Sequence, residues 1–196
     1  MQYPRVVAWF DAQLKGEGTA PSGAVTYVVG GDRWEVREDW PPPTSTATPW
    51  YLRADGLLSP DAPVVAEPAD AYRYDPADPT PTVGGRLLTR QSGYRDDTEL
   101  ADRDDVATFT SAAYAHDVVV CGHPVLELDY GCDNPHFDVF VRISEVDARG
   151  RSRNVSDAFR RFDQNPPVGP IRLELDPIAH RFGVERRAFG QIRSEE

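Results

Sequence analysis

Cysteine is scarce in this chain. The 196 residues hold two, Cys121 and Cys132, too few for a disulfide framework. They flank GHPVLELDYG, which alternates as one strand of about 30 Å. A disulfide tolerates a Cα separation of about 7 Å, so no intrachain bridge is expected. Long apolar runs are also missing: none approaches the roughly 20 residues that cross a bilayer, and no membrane association is read. No basic stretch followed by an apolar core and a small-residue cleavage site opens the chain, and a cytoplasmic location is expected. Basic residues are outnumbered, 21 against 32 acids. The net charge of −11 repels phosphate backbones and argues against nucleic acid as a partner. Finally, no Gly-x-Ser-x-Gly occurs. The nearest segment, Gly150 to Asn154, lacks the second glycine and lies on a hairpin-like turn, so it cannot be a nucleophile elbow.

What is abundant is punctuation. Eighteen prolines and fifteen glycines are spread along the chain, which suits an all-β architecture with many turns. One helix is read over residues 4–15. Pro4 suits a first turn, Val6, Val7, Phe10 and Leu14 share a face, Lys15 complements the C-terminal dipole, and Gly16 caps. Residues 16–23 form a flexible connector. AVTYVVGG reads as a buried strand, and in RWEVREDW Trp34 and Val36 share one face. PPPTSTATP cannot be a central strand. WYLRADG is a strand followed by a turn at Asp55-Gly56. Residues 59–105 lack regular periodicity; a loop of that length is expected to lie across other structure, with YRDDTELADRDDV exposed.

The second half alternates more clearly. VATFTS, HDVVVCG, HPVLELDYG and IRLELDP are strand-like, with Val125, Leu126, Leu128, Ile171, Leu173 and Leu175 directed to the core. FDVFVRISEV places Phe137, Val139, Val141 and Ile143 on one side, and Asp138, Phe140 and Arg142 on the other. Seven or eight such strands predict an antiparallel sandwich.

Several constellations have the atoms for chemistry. Trp34, Trp40, Trp50 and Tyr51 offer rings for sugar stacking or for packing in the core or between domains, and packing is preferred beside so many prolines. Cys121, His123, Cys132 and His136 are zinc-type donors, but they sit at opposite ends of one proposed strand and should diverge. Asp129, Asp133, Asn134 and Asp138 are calcium-type donors without EF-hand spacing, read as a solvated loop. Ser111, His116 and Asp117 lie close in sequence, and nothing beyond proximity makes them a triad. No catalytic residue, metal or cofactor is assigned.

Segments 25–59 (VTYVVGGDRWEVREDWPPP…TPWYLRADGLLS), 72–85 (YRYDPADPTPTVGG), 109–157 and 175–182 (LDPIAHRF) resemble, in order, the C-terminal domain of the Xaa-Pro dipeptidyl-peptidase family. That family includes cocaine-esterase-like and α-amino-acid ester hydrolases. The resemblance implies a jelly-roll β-sandwich of the galactose-binding-like type over residues 19–182, following an α/β-hydrolase domain that holds the catalytic serine, aspartate and histidine. Residues 1–18 resemble the last helix of that hydrolase domain; Val6, Phe10 and Leu14 would then dock on that domain in cis or on another chain, mediate self-association, or fold back on the sandwich. Residues 183–196 depart from the family pattern and read as a polar tail in place of the closing strand, which would leave an open sheet edge. Three functions follow: a non-catalytic accessory domain of a serine hydrolase, a free-standing carbohydrate-binding module, or a subunit complementing a separately encoded hydrolase domain.

Overall fold

The computed structural model describes residues 3–20, 22–163 and 167–194. The chain starts as helix α1 (Tyr3–Phe10), which widens into a π-helical turn (Asp11–Lys15) and stops at Gly16, left-handed at φ 70°. Twelve strands follow among the described residues: β1 (Ala24–Val28), β2 (Arg33–Arg37), β3 (Tyr51–Arg53), β4 (Leu57–Ser59), β5 (Val106–Ser111), β6 (Val118–Gly122), β7 (Val125–Leu128), β8 (Phe137–Val146), β9 (Ser152–Phe162), β10 (Ile171–Glu174), β11 (Ile178–Phe182) and β12 (Arg187–Arg193).

They build an all-β sandwich. One layer is a six-stranded sheet in the order β3-β4-β5-β12-β8-β9. It is antiparallel except where β4 runs beside β5. The facing layer is a kinked ribbon in which β6 pairs with β11 and β7 with β10. Between the layers, Val139 and Val141 of β8, Phe109 of β5, Phe162 of β9 and Ile192 of β12 meet Ile171, Leu173 and Leu175. Each such side chain contributes about 1.5–3 kcal/mol on leaving water.

The single long strand expected across GHPVLELDYG is two. Pro124 has no N–H to donate, and the run breaks at His123-Pro124. The Pro124 carbonyl accepts the Leu175 N–H at 2.9 Å instead, so the ribbon bends while staying paired. Cys121 closes β6, Cys132 lies exposed beyond β7, and both are free thiols. Two core assignments are corrected with it. Val125 faces solvent, and of the AVTYVV strand only Val28 is fully buried.

Both faces of β8 are buried. Opposite the apolar face, Asp138, Phe140, Arg142 and Ser144 are buried, and Arg142 and Ser144 bond the irregular segment 72–105, which lies across the sheet. Its acidic stretch is not simply exposed, because Asp97 and Asp105 are buried as anchors. The Asp97 N–H donates to the Ser152 carbonyl at 3.1 Å, and the Arg95 N–H donates to Asn154 Oδ1 at 2.7 Å. Arg142 Nε and Nη2 donate to the two carboxylate oxygens of Asp157 at 2.7 and 3.0 Å, and its Nη1 donates to the Val83 carbonyl at 2.6 Å. Asp97 Oδ2 accepts from Ser144 Oγ at 2.8 Å. Farther along, Arg103 and Thr80 both bond Asp105, and the Arg103 guanidinium holds that carboxyl below the usual carboxylate range.

The expectation of a polar tail without a closing strand is overturned. Residues 187–193 form β12, inserted between β5 and β8 near the middle of the sheet. Its polarity hides a regular alternation. Ala188, Gly190 and Ile192 follow the core side. Phe189, Gln191 and Arg193 follow the side covered by the long segment, where all three are buried. Arg193 lies over the Phe140 ring at 4.0 Å, and Gln191 Nε2 reaches Asp97 Oδ2 at 3.4 Å. No open edge results there.

Deleting residues 185–196 therefore removes a central strand and leaves β5 and β8 unpaired on facing edges. The shortened chain is expected to lose its cooperative urea transition; a preserved midpoint would contradict this placement of β12. Arg142→Ala leaves Asp97 and Asp157 without their shared cation and is expected to cost about 3 kcal/mol or more in urea unfolding. A loss under about 1 kcal/mol would show that the network is peripheral.

Candidate docking surface

None of the residues of α1 is buried. Val6, Val7 and Phe10 are about half exposed, and Leu14 is 75% exposed. Trp9 and Phe10 pack edge to face against each other at 5.1 Å, and Lys15 pairs with Asp11 at 2.6 Å one turn away. These contacts hold the helix locally. Its apolar stripe meets no core, although a stable amphipathic helix ordinarily depends on one.

The four aromatic candidates separate. Among the described residues, no ring contact joins Trp34, Trp40 and Trp50. Trp34 stands on β2 against Tyr27 of β1, with ring centres 5.1 Å apart. Trp40 is half-buried before Pro41, its N–H donating to Asp39 Oδ1 at 2.8 Å. Trp50 meets Tyr114 edge to face at 6.1 Å, and Tyr114 continues to Phe182 at 5.8 Å. Tyr51 opens β3 beside it, half-buried. Trp50 and Tyr51 line a cleft of about 3230 Å³ walled by segment 41–76, the facing ribbon and residues of the six-stranded sheet such as Phe109 and Val141; Trp34 and Trp40 do not line it. The sequence pattern missed Tyr114 because its neighbours lie far along the chain.

Three groups in this cleft are shifted away from nucleophilic form. Burial pushes the phenols of Tyr72 and Tyr114 and the thiol of Cys121 above their ordinary values. A reactive thiol needs the opposite shift. Elsewhere, Ser111 Oγ donates to the Ala112 carbonyl at 2.8 Å and accepts the Ala188 N–H at 3.0 Å, so it is tied to the β12 end. Asp117 is taken by Arg181 at 2.5 Å and by the Val184 N–H at 3.2 Å. Gly150 to Asn154 belongs to the β8–β9 turn, where Asp147 accepts the Arg149 and Arg151 N–H groups and its carboxyl is lowered to about 2. Among the described residues no three His, Cys, Asp or Glu side chains gather as a metal site. Asp138 is buried against Arg161, whose Nη2 donates at 2.6 Å.

A model of the X-Pro dipeptidyl-peptidase C-terminal non-catalytic domain matches residues 2–184. A cocaine esterase of Rhodococcus sp. (strain MB1 Bresler) is 32% identical over 185 residues, covering 87% of this chain and 32% of that one. An aminopeptidase from a marine sediment Thaumarchaeota archaeon superposes with a TM-score of 0.83 at 22% identity, over 99% of this chain and 36% of its own. An α-amino acid ester hydrolase superposes at 0.77 with 23% identity, over 95% and 36%. The chain thus spans about a third of the length of these relatives.

Because no residue of α1 is buried, Val6→Ser together with Phe10→Ser is expected to leave the urea stability of the isolated chain within about 0.5 kcal/mol. A loss above about 1 kcal/mol would mean that the helix packs on the sandwich in solution.

Proposed function

The chain belongs to the family of X-Pro dipeptidyl-peptidase C-terminal non-catalytic domains, and from that membership we propose that it serves as the accessory domain of a serine hydrolase acting on acyl esters or Xaa-Pro peptides. The observation that carries the reading is α1. Its apolar stripe of Val6, Phe10 and Leu14 has no partner in the sandwich, and it leads into a domain that makes up about a third of its relatives. The helix is the join to an α/β-hydrolase part, in cis as in the relatives or supplied in trans by a separate chain. The sandwich, a jelly roll of the galactose-binding-like type working in the cytoplasm, then walls one side of that part, with Trp50 and Tyr51 as interdomain contacts and Trp34 and Trp40 as further ones.

Chemistry on this reading resides outside the chain. Ser111, the nearest serine to His116 and Asp117, has its hydroxyl engaged by backbone groups and no base beside it. A second reading, a carbohydrate-binding module, draws on the half-exposed Trp50 beside Tyr51 at the cleft. Tryptophan emission titrated with sugars separates the two. A saturable shift lost in Trp50→Ala would favour sugar binding.

Purified chain is expected to show no turnover of a p-nitrophenyl ester or an Xaa-Pro-p-nitroanilide. Turnover that survives repurification and is stopped by a fluorophosphonate would place a nucleophile in this chain and overturn the reading.

A further inference from the structure

Sandwich strands ordinarily turn apolar residues inward and polar ones to water. The β1–β2 hairpin does the reverse. Register pairs Val25 with Val36 and Tyr27 with Trp34, so these four share one face. That face points outward, with Val36 71% and Trp34 47% exposed. The opposite face carries Val28, fully buried, together with Arg33, Glu35 and Arg37, which line the cleft. There Glu35 takes Arg33 Nε at 2.6 Å and is also paired with Arg37. Glu35 and Arg37 therefore sit toward the domain, with Arg33 at the exposed end, while Tyr27, Trp34 and Val36 face water.

Backbone hydrogen bonds tie the hairpin to the sandwich at its turn end. The Val29 N–H donates to the Ala179 carbonyl at 2.9 Å, and the Val29 carbonyl accepts the Arg181 N–H at 2.8 Å. Gly30 follows at φ 73°, where an added Cβ would stand 2.5 Å from the Arg181 carbonyl. The backbones are thus locked at the turn. Beyond that bridge the two strands form a sheet of their own. An isolated two-stranded hairpin is marginal in water without something against its apolar face.

We infer that the outer face of this hairpin, Val25, Tyr27, Trp34 and Val36, is a second docking element that closes against the hydrolase part of the longer protein; this rests on the accessory-domain reading above. The occupant follows from chain connectivity. The relatives carry about two thirds of their length outside the matched region, and the match is to a C-terminal domain, so that length precedes α1. Residues 16–23 join the π-helical turn that ends α1 to β1 and reach at most about 28 Å when extended. Whatever α1 docks on therefore stands within reach of the hairpin, and one partner covers both apolar surfaces. Trp34 is the ring that anchors the contact and Tyr27 its neighbour, a pairing that interface centres favour.

The test joins residues 1–196 behind the part of the Rhodococcus cocaine esterase that lies outside the matched region. Trp34→Ser with Val36→Ser is compared in the joined and the isolated chain. In the isolated chain both side chains are exposed, so the strand circular dichroism and the melting temperature should be unchanged. In the joined protein the melting temperature should fall by about 3 °C or more, and the β1–β2 amides of the unsubstituted joined protein should exchange more slowly than those of the isolated chain. Val36→Lys, expected to act in the same direction, serves if the double variant does not fold. An equal fall in the isolated chain would show that the face packs within the domain and would overturn the inference. So would a joined protein sensitive to Val6→Ser with Phe10→Ser but not to the hairpin variant, which would leave the accessory-domain reading standing. A joined protein sensitive to neither pair, with unchanged exchange, would remove that reading as well. A dimer of the isolated chain that dissociates on Trp34→Ser with Val36→Ser would assign the face to a second copy instead.

Discussion

A guanidinium taken fully out of water needs acceptors for its donors, and Arg142 finds them in both directions. Across the sheet it is bidentate to Asp157 on the neighbouring strand; above the sheet it holds the Val83 carbonyl and lies 3.4 Å from Asp97. Asp97 in turn accepts from Ser144, and Gln191 stands 3.4 Å from the same oxygen. Three adjacent strands and the long crossing segment are thereby joined through one buried cation. A buried charge left unpaired is costly, so the segment cannot lift away without exposing or orphaning these groups. The network stabilises the covered arrangement less by its net energy than by the penalty attached to every other arrangement.

The same constraint explains why a polar C-terminal strand sits in the middle of a sheet. Gln191 and Arg193 would be poor central residues in a sandwich whose outer face meets water. Here the outer face meets the segment 72–105, so both polar ends are buried among partners and the ring of Phe140. Ile192 alone on β12 supplies the large apolar contact to the inner core. The strand is specified by two different environments, one on each side.

The surface divides along similar lines. Trp50 and Tyr51 lie where the sandwich is concave and partly closed by Tyr114 and Phe182. Helix α1 and most of the outer face of the hairpin stay exposed among the described residues. An apolar surface beyond a few scattered residues marks a place where something else belongs. The relatives of this family devote about two thirds of their length to another part.

Much of this was legible in local pattern. The alternation of Phe137, Val139, Val141 and Ile143, the spacing of Ile171, Leu173 and Leu175, the turn at Asp55-Gly56 and the helix start at Pro4 are set by neighbours a few residues apart, and period and turn chemistry report them directly. So is the absence of a nucleophile elbow. The break at Pro124, the burial of Asp97 and Asp105, and the central place of Arg187–Arg193 were decided by tertiary structure. Each depends on a residue far along the chain: Leu175 for the break, Ser144 and Arg103 for the acids, Phe140 and Val141 for the strand. A polar residue reads as solvent-facing until its buried partner is in view. An apolar one reads as core until the fold shows that its face points outward, as it does for Trp34 and Val36. The sequence by itself determined the strands that alternate plainly, such as Phe137–Val146 and Ile171–Glu174, and that no nucleophile elbow is present. Only the folded chain decided which polar residues are interior and which apolar residues are exposed, because those are properties of contacts between distant segments.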